Sequence, residues 1–342
     1  MVILTEGHSD PHTAKTASCL LRYCPSDVVA VLDSSHRGLT TDQLLQVGGD
    51  IPVVGSLSEA AEANTLLIGI APPGGKIPAP WRAIILEAIR REMKIVSGLH
   101  DHLSNDPEFV AEAKKYGVEL IDVRKNEERE IARRVGLRDE CLRILTVGHD
   151  CSVGKMVTSV ELTLALKRLE HDAKFVATGQ TGIMVEGDGC AIDSVVADFI
   201  SGAAEKLVLD NQHHEILIIE GQGSLIHPSY SSVTLGLLHG SSPHGLIMCF
   251  EVGREVVTGV SHVQIPPLAK MIELNETMAS VFQPCRVIGI SMNSRRVTAD
   301  EAARLSDQLR DQFQIPVCDV IRDGPGPLAD AVLELQQQRS AL

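Results

Sequence analysis

Short, continuously apolar runs alternate with longer amphipathic stretches along the whole chain. In the first third the runs fall at residues 2–4, 28–32, 66–70, 94–97 and 118–123, with Gly, Pro or Asp punctuating their C-terminal ends. A run without polar alternation suits a strand buried on both faces, and strands separated by helical segments imply βαβ units, so this region predicts a parallel, doubly wound sheet. A second series follows at residues 144–147, 174–177, 215–219, 245–250, 287–291 and 317–320, with helical segments at 155–168, 192–209 and 299–312. It predicts a second sheet of the same class.

Between the two series, residues 124–140 are dense in Arg, Glu and Asp of alternating sign, which predicts a solvated helix joining the sheets. The expected organisation is an N-terminal Rossmann-like domain over residues 1–124, a linker helix over 125–141 and a P-loop-like domain over 142–342; a chain of 342 residues is long enough for two cores. Ligands of such sheets lie outside the carboxyl ends of the strands. The loops there in the first domain, residues 6–10 (EGHSD), 33–38 (DSSHRG), 72–75 (PPGG) and 98–102 (GLHDH), form a candidate second binding surface. No Gly-x-Gly-x-x-Gly follows the first strand, so a dinucleotide is not expected, and this domain is expected to pack on the second or to build a homo-oligomer interface.

Charge narrows the ligands. A formal charge of −14 argues against a nucleic-acid binder, because backbone phosphates need a basic face, and 3% aromatic content leaves little for base stacking. An anionic ligand must therefore be met locally. Eight cysteines without a C-x-x-C pair read as reduced, mostly buried thiols. No basic-then-apolar leader is present and no apolar run approaches the ~18 residues of a membrane span, so a soluble, cytoplasmic protein is expected.

The local means of meeting an anion stands at Gly148-His149-Asp150-Cys151-Ser152-Val153-Gly154-Lys155-Met156, with Thr158 beyond. A glycine ends a strand and a Gly-Lys pair opens a helix, where unpaired N–H groups, the helix dipole and a lysine converge on a phosphate. Five residues separate Gly148 from Gly154 where the Walker pattern has four, and Met156 stands where a Ser or Thr would bind Mg²⁺. Thr158 could substitute only if the loop is shifted. Asn293, after the run 287–291, is a candidate adenine contact. Cys151 sits where a helix N-terminus lowers thiol pKa, though a small residue suited to a tight loop explains it as well.

The five-residue spacing resembles the phosphate loop of dethiobiotin synthetase and its cobyric-acid-type relatives, matched here at Asp150, Val153, Gly154 and Lys155. Residues 218–224 (IIEGQGS) resemble the segment that closes a buried strand in that family. That resemblance implies a Mg²⁺ role for Glu220; Asp193, an acid at an expected helix start, is a second candidate if the metal is used, and helix capping explains it equally well. The whole chain also resembles a family long described only as a domain of unknown function, Rossmann-like then P-loop-like. The carriers are residues 149–156 (HDCSVGKM), 178–182 (TGQTG), 193–205 (DSVVADFISGAAE), 220–224 (EGQGS) and 227–240 (HPSYSSVTLGLLHG). A bacterial D-glutamate N-acetyltransferase belongs to that family, so the resemblance implies acetyl transfer from acetyl-CoA to the amine of D-glutamate or a similar amino acid.

A phosphate loop can hold acetyl-CoA without hydrolysing anything, and then neither a Walker hydroxyl nor Mg²⁺ is required. Acyl transfer needs a base, oxyanion donors and a cation for the acceptor carboxylates. Glu220 and His227 are the candidate bases, and Lys155 or the Gly-rich amides the candidate donors. Thr178, Gly179, Gln180 and Thr181 should face the loop's cleft, while Tyr230, His239 and Arg254 are candidates for the acceptor, Arg254 for its bidentate fork. The alternatives are an ATP- and Mg-dependent ligase or kinase and a noncatalytic nucleotide sensor.

Overall fold

The computed structural model describes residues 1–10, 13–70 and 73–341. The chain divides into two compact units, residues 1–126 with 183–187, and residues 127–182 with 188–342.

In the first unit the described strands β1 (Val2–Leu4), β2 (Ala30–Leu32), β3 (Val53–Val54), β4 (Thr65–Ile68), β5 (Lys94–Ser97) and β6 (Leu120–Asp122) form one parallel sheet in the order β3-β2-β1-β4-β5-β6. Helices α1 (Lys15–Tyr23), α2 (Thr41–Leu45), α3 (Trp81–Arg90) and α4 (Pro107–Tyr116) connect them. The continuous apolar runs are explained by the two clusters they feed. Val2, Leu4, Leu66 and Ile68 pack with Ile85 and Ile89. Ile3, Val31 and Leu67 face the other way, onto Leu20 and Leu21. Successive side chains alternate faces, so a sheet covered on both sides needs every position apolar. Strand β3 was not foreseen, because two residues leave no run to read. The loops marked as a second binding surface bond largely to one another: Asp33 takes hydrogen bonds from Ser9, His36 and the Ser35 N–H, and Glu6 takes the Ser34 N–H at 2.7 Å. Pro72, in the third of those loops, lies outside the described residues.

In the second unit β7 (Leu142–Gly148), β8 (Ala173–Val176), β9 (Ile216–Ile219), β10 (Gly245–Glu251), β13 (Arg286–Asn293) and β14 (Val317–Cys318) form a parallel sheet in the order β14-β13-β10-β7-β9-β8. Strands β11 (Val256–Val257) and β12 (Val260–Gln264) make a separate antiparallel hairpin. The helices are α5 (Lys155–Arg168), α7 (Ile200–Asn211), α8 (Ser231–Ser241), α9 (Leu268–Ala279), α10 (Ala299–Phe313) and α11 (Gly326–Ser340), while α6 (Gln180–Glu186) begins in this unit and its residues from 183 on belong to the first. Every residue of β7 and β10 is buried. The chain leaves β7 toward β9 and β8 on one side and returns to β10 on the other, so β7 is the topological switch point and its carboxyl end is the expected ligand crevice.

Two sequence expectations are corrected. Residues 127–135 form no helix. Their alternating charges carry no apolar stripe to dock a helix, and the segment runs without regular structure beside α7, where the N–H groups of Arg133 and Arg134 donate to the Glu205 carboxylate at 2.8 and 2.6 Å. The helix expected over 192–209 breaks into two 3₁₀ turns (Ile192–Ser194 and Ala197–Phe199) before α7 begins, so Asp193 sits on a turn. No described helix is long and apolar enough to cross a membrane.

Candidate functional site

The phosphate loop forms at the carboxyl end of β7, as its sequence requires. Gly154 caps α5 at φ 109°, a conformation that a side chain rarely tolerates, and Ser152 is left-handed at φ 55°. Val153 packs inward as part of the core, which anchors the middle of the loop. Asn293, at the end of β13, borders it: its Nδ2 lies 3.9 Å from where a Cβ on Gly154 would stand. Lys155 is buried and its Nζ donates to the Asp150 carbonyl at 2.8 Å. Burial holds its pKa below the ordinary lysine value, which marks a cation short of counter-charge.

Around this loop three structural layers take up most of the candidate side chains. The first is Glu220, at the end of β9. It is buried, and its Oε2 accepts the N–H groups of Thr178 and Gly179 at 2.9 Å each, while the Thr178 hydroxyl donates to the Glu220 carbonyl. Burial raises its pKa, against the pull of those N–H groups and of Lys155. Glu220 therefore ties residues 178–179 to β9. Asp193, named with it as a second acid for Mg²⁺, is exposed on its turn. The acid, thiol and imidazole that do gather among the described residues are Asp150, Cys151 and His227, with ligand atoms within 4.8 Å of one another.

His227 is itself committed. Its Nδ1 accepts the Ser229 N–H and its Nε2 faces the Thr258 carbonyl, both at 3.1 Å, so the proton belongs on Nε2 and no lone pair is left for a metal or for base catalysis. Tyr230, half exposed, lies against the same ring at 4.5 Å between centroids.

The second layer was not legible in the sequence. Hairpin β11–β12 is clamped to the loop through Asp150, whose Oδ2 accepts the Thr258 N–H at 2.9 Å, the Thr258 hydroxyl at 2.7 Å and Arg254 Nη1 at 2.9 Å. Burial pushes the Asp150 carboxyl up, but the bonds from Thr258 and Arg254 outweigh it and hold the pKa below its ordinary value. The clamp is thus fully present above the ordinary aspartate value of about 3.9 and is lost as pH falls through the depressed one. Hydrogen exchange at the Thr258 amide, corrected for its intrinsic rate, should show protection at pH 6 that disappears in strong acid; Asp150→Ala should remove it at both. Full protection retained in Asp150→Ala would refute the clamp.

The third layer is an arginine cluster. Glu251, whose side chain is fully buried, binds Arg254, Arg295 (Nε to Oε1, 2.7 Å) and Arg296 (3.1 Å). Burial favours its neutral form, but Arg295 and Arg254 keep its pKa below the ordinary glutamate value. Arg254, 10% exposed, is shared among Glu251, Asp150 and the Cys151 carbonyl, so the expectation that it receives an acceptor carboxylate is corrected. The Glu251 N–H donates to His149 Nε2 at 3.1 Å, and burial together with the Arg254 charge lowers the His149 pKa to about 4.

Two further expectations fail on geometry. Thr158 is buried, with its hydroxyl 2.7 Å from Ser291 on β13, beneath the helix and not toward the loop. His239 lies near the C-terminal end of α8, packed on Phe282, and Ser242 just beyond accepts from Arg143 Nε at the start of β7. The phosphate loop is at the other end of that seven-residue strand, roughly 20 Å away. Gln180 and Ser224 do reach the strand ends on the loop's side of the sheet, and each buries an oxygen (Oε1 and Oγ) without a partner in the protein. Unsatisfied buried polar atoms of this kind mark places where a polar ligand or water bonds.

Comparison with known proteins gives a consistent result. Residues 34–126 match the family described as DUF1611_N, a Rossmann-like domain of unknown function, and residues 128–329 match DUF1611_C, its P-loop domain. A protein of a Pseudoalteromonas species named D-glutamate N-acetyltransferase is 44% identical over 272 residues, 79% of this chain and 82% of the relative. One of the same name from Tritonibacter scottomollicae is 38% identical over 80% of this chain and 83% of the relative. The crystal structure of a DUF1611 family protein from Anabaena variabilis superposes with a TM-score of 0.91 at 38% identity, covering 97% of this chain and 98% of that one.

Proposed function

This chain belongs to the DUF1611 family, and on that footing we propose that it is an N-acetyltransferase that moves acetyl from acetyl-CoA to the amine of D-glutamate or a similar amino acid. The observation that carries the reading is the 44% identity, over most of both chains, to a protein named for that reaction. The geometry of the loop agrees with it. A donor held by its diphosphate needs N–H groups, a glycine turn and a cation, all of which stand at 148–155, whereas Mg·ATP would ask for a hydroxyl at the helix start. Met156 stands there, and Thr158 is turned to Ser291.

The reading redistributes the roles. In the reaction the neutral amine nitrogen attacks the thioester carbonyl, the C–N bond forms, the C–S bond breaks, and the proton lost by the nitrogen ends on the CoA sulfur, which leaves as thiol. The pantetheine arm separates that carbonyl from the diphosphate by its full length, so a loop that grips the diphosphate cannot also work on the thioester. Lys155 and the loop amides are binding groups here, Asn293 borders the adenine end, and Glu220 positions residues 178–179. Gln180 and Ser224, with their buried unpartnered oxygens, become the candidate polar contacts to substrate.

The test is calorimetric titration with acetyl-CoA and, separately, with Mg·ATP, followed by thiol release in the presence of D-glutamate. The proposal expects acetyl-CoA binding and CoA release that depends on the amino acid. Binding of Mg·ATP alone, with no thiol released, would overturn it in favour of a ligase, a kinase or a nucleotide sensor.

A further inference from the structure

Arg296, with Arg295 beside it, is left over once the phosphate loop has been assigned. The two residues follow β13, whose last residue Asn293 lies opposite Glu251 in the sheet register and borders Gly154 of the loop. Arg254 joins this corner to the loop itself through Asp150 and Cys151. Three guanidinium groups, from Arg254, Arg295 and Arg296, thus meet two buried carboxylates, Glu251 and Asp150, and the cluster keeps a net positive charge in a protein that carries −14 overall. Arg254 is nearly buried and its charge is spent within the network. Arg295 and Arg296 are 40% and 52% exposed. Arg296 offers only its Nε side to Glu251, and its Nη groups make no hydrogen bond to the described residues.

A stability argument does not account for this arrangement. Two buried carboxylates, Glu251 and Asp150, are matched in charge by Arg254 and Arg295; a third arginine at the rim adds repulsion and carries little stabilisation of its own. The Arg296 guanidinium, held at its Nε, fits a second anion, and a phosphomonoester suits it better than a diphosphate already met by loop amides. ATP and CoA both present adenine, ribose and a phosphate chain, and only CoA adds a phosphate on the ribose.

We propose that Arg296, supported by Arg295 on Glu251, is the subsite for the ribose 3′-phosphate of coenzyme A, and so the feature that distinguishes CoA from ATP at this loop. The proposal rests on the acetyl-CoA reading above, and its test separates the two. Calorimetry of the intact protein with CoA and with 3′-dephospho-CoA should give a preference for CoA of about tenfold to a hundredfold, the range of one or two charge-assisted hydrogen bonds. Arg296→Ala should bring the two ligands to within about threefold of each other by weakening CoA alone, with the KM for D-glutamate unchanged. Equal binding of the two ligands by the parent protein, or a preference that survives Arg296→Ala, overturns the subsite while leaving the donor intact. A raised amino-acid KM with an unaltered CoA preference assigns the arginines to the acceptor's carboxylates and also overturns it. Binding of ATP with no binding of either CoA form removes the donor reading and the subsite together.

Discussion

Lys155→Met is expected to weaken acetyl-CoA binding by about a hundredfold while leaving the fold as stable as the parent or more so. The two effects share one cause. Lys155 is buried with a lowered pKa, bonded through Nζ to the Asp150 carbonyl and facing no carboxylate at hydrogen-bond distance among the described residues. Keeping a cation there costs desolvation that the fold alone does not recover, so an apolar side chain of similar length is expected to be neutral or stabilising. The charge is favourable only when phosphate oxygens enter the loop. Urea unfolding and calorimetry on the same preparations would test both halves. A loss of stability with unchanged affinity would make Lys155 a structural residue and would remove the loop from donor binding.

Gly221→Ala should have the largest effect on the fold. A Cβ there would lie 1.7 Å from the Thr146 carbonyl oxygen of β7 and 3.2 Å from Lys155 Cδ. The first contact is backbone against backbone between adjoining chain segments, and no rotamer relieves it. The Gly221 N–H also donates to Thr146 Oγ1 at 2.9 Å, so a shift of the segment breaks that bond as well. Destabilisation of about 3 kcal/mol or more follows from overpacking at a site that cannot move, accompanied by loss of ligand binding because the loop rides on the same strand end. Gly326→Ala is the matched control. Nothing lies within 4 Å of its Cβ position at the start of α11, and alanine there should leave the midpoint equal or slightly higher. Equal midpoints for the two variants would show that the strand pair yields more easily than its packing indicates.

The sequence was most informative where a local rule is obeyed by consecutive residues. Both parallel sheets follow from apolar runs without alternation, since covering a sheet on both faces forces every position to be apolar. The phosphate loop follows from a Gly-Lys pair between a strand and a helix, because only that composition allows the tight turn. It was least informative where charged residues were read one at a time. Arg254 looked like a free fork and is shared by Asp150 and Glu251; His239 looked like a neighbour of the loop and lies at the other end of the strand.

Sequence by itself therefore determined the class of both domains, the place of the phosphate loop and the membership that the family comparison bears out. Those features rest on period, on glycine geometry and on residues adjacent in the chain. Tertiary structure alone decided which side chains remain available for chemistry. Hairpin β11–β12 reaches the loop from about a hundred residues further on through Thr258 and Asp150, and the arginines of the 295–296 pair meet Arg254 only because β10 and β13 are neighbours. Charges and hydrogen bonds act through distance in space, and a parallel sheet brings together strand ends whose sequence separation carries no record of that proximity.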